Sequence, residues 1–507
     1  MAERTVKLRN LLAYGVGDIF GGGSFFLIGL LFLFFLTEVV GLSPLMASLL
    51  FGVGKIWDAV ADPIMGHISD HTRSRYGRRR VFFLLGIVPI AVSFFVLWIP
   101  IHADSEWLVA GYYCLTYIFF NTVYTMVMVP YSALNAEMST DYRVRTRLTA
   151  ARITFSILSA AVAGTLAPAI RDGAATLEQG FLWISIIFAL LYAVPWIVVF
   201  LGTWEGPVKQ VPPRRFRLLQ VARDSLSLLR NRSFRVHLLM YICAYTAVDG
   251  LVALFPYYVE WILARPVTSL AMGSLMVMQI LTLPIYAMVA NKAGKGVAYR
   301  IGLLIFGVGV ALAATCGEDT PVPTIMAVCA LIGCGLSAAI MMPFAILPSV
   351  IDVDEAITGE VRSGAYSGAM TLIRKFVQGL IVIPTLGLAL TAIGYVENTG
   401  AAERTQAPET IANLKILFFT LPMIFIVLGF VVSLYFRITP RTHAILVGEL
   451  ERLRGGGDRD AAEPEARGVL EQLTGLPYAE LYPEPSDERP SPANPARASR
   501  DRNQENR

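Results

Sequence analysis

The chain has 507 residues, 55% of them hydrophobic and only 16% charged, with a formal net charge of +4 and a mean hydropathy of +0.58. A water-soluble domain of this size cannot bury so much apolar surface, so the composition excludes a soluble globular protein and points to membrane insertion. The basic residues sit between hydrophobic runs rather than in one patch, which argues against nucleic acid as a partner.

The basic segment Met1 to Asn10 leads into an apolar run too long for the core of a cleavable signal peptide, and reads as an uncleaved first helix. A bilayer-spanning helix needs roughly 20 mostly apolar residues. Twelve such runs predict transmembrane helices over 11–37, 43–69, 81–101, 107–134, 153–170, 180–202, 236–263, 270–290, 299–316, 323–347, 364–393 and 411–436. Arg73, Arg75, Arg78 to Arg80, Arg143, Arg145, Arg147, Lys209, Arg214, Arg215, Arg217, Lys292, Lys295 and Arg300 all fall in loops on one side. The other side carries scattered charges such as Arg171, Arg265 and Arg404. The positive-inside rule puts the first side, and both termini, in the cytoplasm of a cell with an inner membrane.

The long basic connection divides the chain into a six-helix half (1–203), a cytoplasmic central loop (204–235) and a second six-helix half (236–437). This is the layout of the major facilitator superfamily, an all-α membrane fold, for which a monomer is the default. A faint repeat supports the division: Gly66, Asp70, Arg75, Gly77 and Arg78 follow helix 2, and Lys292, Gly294 and Lys295 follow helix 8. Asp70, Arg75 and Arg78 form either a charge latch that breaks when the cytoplasmic mouth opens or a simple topology anchor. Residues 438–507 turn polar and predict a cytoplasmic, largely disordered tail, with short amphipathic helices conceivable over 443–453 and 468–473.

Charge inside a bilayer costs at least about 2.5 to 3.5 kcal/mol per group, so each such residue needs a partner, a cavity or a function. Helix 2 carries Lys55, Asp58 and Asp62 at i, i+3 and i+7, which places them on one face over two turns. The cluster is one negative charge in excess, and one bound Na+ or H+ neutralises it. The alternative is a structural Lys55–Asp58 bridge with a solvated Asp62. Helix 1 places Asp18 among Gly15, Gly17, Gly21, Gly22 and Gly23, either facing the central cavity or hydrogen-bonded structurally. Helix 7 places Asp249 beside Gly250, with Pro256 two turns on, a pattern suited to bending near a site. Arg374 and Lys375 lie deep in helix 11, and Arg152 opens helix 5, where a snorkelling anchor is the plainer reading.

The runs Tyr14-Gly-Val-Gly-Asp18, Thr37-Glu-Val-Val-Gly-Leu-Ser43, Lys55-Ile-Trp-Asp58-Ala-Val-Ala-Asp62-Pro63-Ile-Met-Gly66 and Thr72-Arg-Ser-Arg-Tyr-Gly-Arg78 resemble the glycoside-pentoside-hexuronide:cation symporters, of which melibiose permease is the best known. Asp352-Val-Asp-Glu355, Gly359, Arg362 and Lys375 continue the likeness. The resemblance implies cation binding by Asp58 and Asp62 with help from Thr125, and substrate contact by Arg152 and Lys375. Ala61 stands where the family has an asparagine that serves sodium. Gly22, Met128 and Ser132 stand where melibiose permease has its sugar-holding residues, so the galactoside half of the machinery is missing.

These features together imply a cation-coupled symporter, using H+ or Na+ and no other cofactor, that imports a sugar, glycoside or uronate by alternating access. Its partners would be that solute and membrane lipid, with Asp18, Arg152, Asp249 and Lys375 lining one central cavity. The apolar wall Tyr124-Thr-Met-Val-Met-Val-Pro130 keeps open a lysophospholipid or other amphiphile, the substrate class of the family's animal relatives. A transporter-like sensor or scaffold is the third reading, and the costly charges of helix 2 argue against it. No Ser/His/Asp set, phosphate-cradling loop or metal constellation suggests an enzyme. The five cysteines lie in or beside apolar segments without metal-ligand spacing, and read as packing residues.

Overall fold

The computed structural model describes residues 6–139, 141–206, 226–397 and 405–482. Within them twelve helices are long and apolar enough to cross a bilayer: α1 (Leu8–Glu38), α2 (Pro44–His71), α3 (Arg80–Leu97), α4 (Glu106–Asn135), α5 (Arg147–Gly173), α6 (Leu177–Gly202), α7 (Arg232–Leu263), α8 (Thr268–Ala293), α9 (Lys295–Ala313), α10 (Val322–Thr358), α11 (Ser363–Ala392) and α12 (Pro408–Ser433). Each matches one hydropathy run. The largest boundary difference is at α10, which continues past the expected end at Leu347. Its polar last turns stay helical because their acids find partners, as described below.

Helices α1 to α6 and α7 to α12 form the two halves of a major facilitator fold, which meet along three helix pairs, α1 with α7, α2 with α11, and α5 with α8. Most of the central connection, 207–225, lies outside the described residues. The α2–α11 crossing is unusually close, because Gly52 and Gly379 face one another. A Cβ on Gly52 would stand 2.4 Å from the Gly379 carbonyl oxygen, and one on Gly379 would stand 3.1 Å from the Lys55 Cβ. Small residues at such a crossing let two backbones approach within membranes. Directly at this point α11 widens into a π-helical turn, Gln378–Val382, a distortion common at functional sites.

The two faces of the protein differ in how the halves meet. At the face away from the basic loops, hydrogen bonds join the halves: Thr37 to Tyr257 (2.8 Å), Tyr395 to Glu38 (2.6 Å) and Arg171 to Thr268 (3.0 Å). At the basic face the first turns of α11 are exposed, and Cβ atoms added to Gly364 or Gly368 would meet open space. The molecule is closed on one side and open on the basic side.

With the basic side open, Asp70, Arg75 and Arg78 do not pair with one another. Asp70 pairs instead with Arg79 (2.8 Å). Arg79 also reaches Glu137 at the end of α4 (2.7 Å), and Arg78 pairs with the same carboxylate. Glu205, just after α6, accepts from the backbone amides of Arg78, Arg79 and Arg80. Arg75 donates only to its neighbour Tyr76. Glu137 and Glu205 lie outside the motif, so sequence spacing offered no sign of them. Every partner belongs to the N-terminal half, so the network braces that half internally.

The tail is more ordered than expected, and its two helices contain the stretches 443–453 and 468–473 that the sequence offered as amphipathic. Residues 440–482 fold as α13 (Pro440–Arg454), α14 (Pro464–Thr474) and a closing turn, Tyr478–Glu480. Leu446, Leu450, Leu453, Leu470 and Leu473 are buried. Each helix is too short to be stable alone, and the order comes from docking on α7 and α10. Arg454 forks onto Glu355 (2.6 and 2.7 Å), His443 lies 2.8 Å from Asp352, and the Ser233 hydroxyl donates to the Leu473 carbonyl (2.6 Å). Arg362 forks onto Asp354, which Tyr366 also contacts. Each acid of Asp352-Val-Asp-Glu355 thus has its own partner. Residues 483–507 of the predicted tail lie outside the described residues.

Two outcomes test the docking. Arg454→Ala strands the buried Glu355 carboxylate and should raise protease cleavage within 438–482, while the double change with Glu355→Gln should restore resistance, because stranding one partner costs more than removing both. Within the tail the Arg452 guanidinium beside Glu449 holds its carboxyl below the ordinary 4.5. That contribution is complete above about pH 4.5 and is lost as pH falls through the lowered value, so tail resistance measured by limited proteolysis should weaken on acidification.

Candidate cation and substrate site

Asp58 and Asp62 lie one helical turn apart on α2 and point to the seam between the halves. Asp58 is almost wholly buried, while the Asp62 side chain keeps 33% of its surface exposed toward the open face. Lys375 of α11 crosses the seam and places its Nζ 2.9 Å from Asp58 and 2.6 Å from Asp62. The Thr125 hydroxyl of α4 lies 3.3 Å from Asp58 and 3.1 Å from Asp62. One cation from the C-terminal half therefore bridges two carboxylates of the N-terminal half. The Gly52–Gly379 crossing makes that reach possible.

Lys55 does not join this group. Its ammonium lies 4.1 Å above the Phe25 ring and 5.7 Å from that of Phe51, a cation–π arrangement that offsets the loss of water. The alternative of a Lys55–Asp58 bridge is not what forms: Lys375 bridges from the opposite half, and Lys55 turns toward the aromatic rings. Helical spacing places residues on a face without fixing where a long side chain ends. Ala61, between the two acids on α2, supplies no side-chain oxygen.

Two further ion pairs stand nearby, each within one half. Arg152 turns inward, 3.3 Å from Asp18, donates to the Ser132 hydroxyl (3.0 Å) and lies 5.2 Å from the Tyr131 ring centre. Asp18 starts the upper part of α1 after a break at Val16 and Gly17. Tyr14 and Tyr131 hold that break by stacking and exchanging hydrogen bonds with one another's carbonyls. In the C-terminal half, Arg374 contacts Asp249 at 3.1 and 3.2 Å. Gln378 donates to the same aspartate at 2.9 Å, and the guanidinium lies 4.1 Å from the Tyr245 ring centre.

These charges do not line a single cavity, contrary to expectation. Arg152, Lys375 and Asp62 face a cleft of about 780 Å³ that opens at the basic face. Asp249 and Arg374 face a separate cavity of about 450 Å³ between the halves, walled by Phe25, Phe26, Phe51, Met272, Met276, Leu336 and other apolar side chains. Asp18 lies behind Arg152 and borders neither. The residues 124–130 that read as a cavity wall also border neither, and Met128 is buried against α1 instead. Sequence reasoning noted Arg374 and passed over Gln378, whose position one turn beyond Arg374 on a charged helical face was the available signal.

Twelve spanning helices in two halves, with charges gathered where the halves meet, define a membrane transporter of the major facilitator class. The chain belongs to the MFS/sugar transport protein family, which matches residues 13–440. It is 26% identical to a symporter of Synechocystis over 89% of this chain and 98% of that one. It is 25% identical to the glucuronide carrier protein homolog of Escherichia coli over 89% and 96% of the two chains. It is 26% identical to the sodium-dependent lysophosphatidylcholine symporter 1-A of Danio rerio over 80% and 81%. Among solved structures the nucleoside transporter NupG superposes with a TM-score of 0.59 at 14% identity, covering 85% of this chain and 99% of that one, a likeness of fold.

The bridge has a thermodynamic signature. Lys375→Gln should lower the thermal midpoint of the purified protein, since it leaves Asp58 buried without its counter-charge. Adding Asp62→Asn should recover part of the loss. Strictly additive losses in a double-mutant cycle would show that Lys375 and Asp62 do not interact.

Proposed function

We propose that this protein is a cation-coupled symporter working by alternating access, with Asp58, Asp62 and Thr125 as the cation site. The observation that carries this reading is the Lys375 bridge. An ammonium stands where a monovalent cation would bind between the two carboxylates, and it comes from the half that must move. When H+ or Na+ binds the pair, Lys375 loses its hold and α11 is released from α2. An empty carrier keeps the bridge, and with Lys55 also on α2 the two carboxylates are matched by two ammonium groups, so no net charge resides in the low-dielectric seam. Relatives named as symporters support the same reading. The basic face is then cytoplasmic and the structure is open inward, in the membrane that bounds the cytoplasm.

For the substrate, the cavity wall favours an amphiphile over a free sugar. A sugar hydroxyl sealed against Phe25, Phe26, Met272 and Met276 loses water without gaining a partner, at roughly 1–3 kcal/mol each. The polar side chains of the cavity gather mainly around Asp249, Arg374 and Gln378, which suits a solute with one polar end and an apolar body. Glycosides and uronides with an apolar aglycone fit this description, and so do lysophospholipids. Relatives carry names from both groups.

Asp58→Asn and Asp62→Asn should each abolish cation-driven accumulation in proteoliposomes while preserving the thermal midpoint within a few degrees. Concentrative uptake by both variants at the wild-type level would overturn the assignment. Because Ala61 supplies no oxygen where Na+ needs several, a pH gradient should drive uptake at least as well as a sodium gradient. Strict Na+ dependence across the pH range would contradict proton coupling.

A further inference from the structure

We infer that the substrate carries one negative charge, that its charged end docks on Arg374, and that one cation and one substrate anion cross together without net charge movement. This deepens the symport reading and rests on it.

The first ground is the state of Arg374. Asp249 engages only its Nη2, with both carboxylate contacts made to that one nitrogen. Among the described residues the buried Nε finds no acceptor. A guanidinium on a cavity wall with an unused donor is incompletely satisfied, and anions that present two terminal oxygens, such as carboxylate and phosphate, match its fork. Tyr245, its ring centre 4.1 Å from the guanidinium, supports the group where it lines the cavity. Asp249 keeps the Gln378 amide as a second partner. Arg374 can therefore shift toward a ligand without stranding that carboxylate.

The second ground is the charge balance of the groups around the cleft and the apolar cavity. Asp18, Asp58, Asp62 and Asp249 face Arg152, Lys55, Lys375 and Arg374, four carboxylates against four cationic side chains. With no ligand bound this group is balanced. A cation taken up at Asp58 and Asp62 leaves one positive charge in a region where water is scarce, and a monoanion restores neutrality. A neutral substrate would leave that charge to cross alone, and a dianion would reverse it. Arg374 and Lys375 are neighbours on α11, so release of Lys375 by the cation and capture of the anion by Arg374 act on the same turn of one helix.

The test uses the purified full chain and compounds matched except for charge. In a thermal-shift binding series, lysophosphatidylglycerol is compared with lysophosphatidylcholine and monoacylglycerol of the same chain length, and nitrophenyl glucuronide with nitrophenyl glucoside. The lipid arm and the sugar-acid arm separate the two sources of an anionic head. In at least one arm the anion should bind about tenfold or more tightly than its neutral or zwitterionic partner, the scale of one charge-assisted hydrogen bond. Arg374→Gln should erase that preference, and Arg374→Lys should restore it only in part, since the fork is lost. In proteoliposomes, uptake of the preferred anion should not change when an inside-negative potential is imposed.

Equal binding of charged and neutral partners by the wild type overturns the inference without recourse to any variant. So does binding of none of these compounds, or uptake that rises steeply with the imposed potential. Failure of the symport reading looks different. There Asp58→Asn and Asp62→Asn would still concentrate substrate, while the anion preference and its dependence on Arg374 would stand.

Discussion

A single ammonium group, that of Lys375, holds two carboxylates of the opposite half, and the arrangement of the seam depends on this bridge. Asp58 is buried and Asp62, at the edge of the open cleft, lies one turn away, so their like charges call for a counter-charge. Among the described residues Lys375 is the cation that reaches both. Its reach depends in turn on α2 and α11 touching at Gly52 and Gly379. Backbone packing, charge compensation and the seam between the halves are thus one structural problem with one solution. Whatever competes for the two carboxylates also competes with the contact between the halves.

The remaining charges follow the same logic with less consequence for movement. Arg152 with Asp18, and Arg374 with Asp249, are closed within their own halves, so neither pair resists a relative motion of the halves. The hydrogen bonds at the face away from the basic loops do resist opening on that side. The neutral Thr37–Tyr257 bond is worth about 0.5–1.5 kcal/mol, and the two that involve Glu38 or Arg171 about 1.5–3 kcal/mol each, a scale that a ligand-driven equilibrium can overcome. The docked tail grips α7 and the end of α10, next to the turn into α11, and therefore steadies the C-terminal half from which Lys375 projects.

The fold was legible because lipid imposes a coarse rule: twelve apolar runs of sufficient length must become twelve helices. The carboxylate cluster was legible in part. The i, i+4 spacing of Asp58 and Asp62 puts both carboxylates on one face, and the family resemblance placed Thr125 with them, while it gave Lys375 to the substrate. That Lys375 rather than Lys55 bridges them was hidden, since only the meeting of α2 with α11 decides which long side chain arrives. The same holds for Glu137 and Glu205, which are remote in sequence from the arginines they hold, and for the separation of the inner cleft from the apolar cavity. In the tail the two helices were legible as amphipathic stretches, but the order of 440–482 as a whole was not, because its leucines are too sparse to fold alone and the surface that covers them lies on distant helices.

The central claim is that Lys375 occupies the place of the coupling cation in the empty carrier. Cation affinity measured directly on purified wild type and Lys375→Gln, by radiolabelled sodium binding and by proton uptake on a pH step, tests it most simply. Removal of a resident competitor should tighten binding of the coupling cation by about tenfold or more, because the two carboxylates are left with an uncompensated charge. Unchanged or weakened affinity in a folded variant would contradict the account.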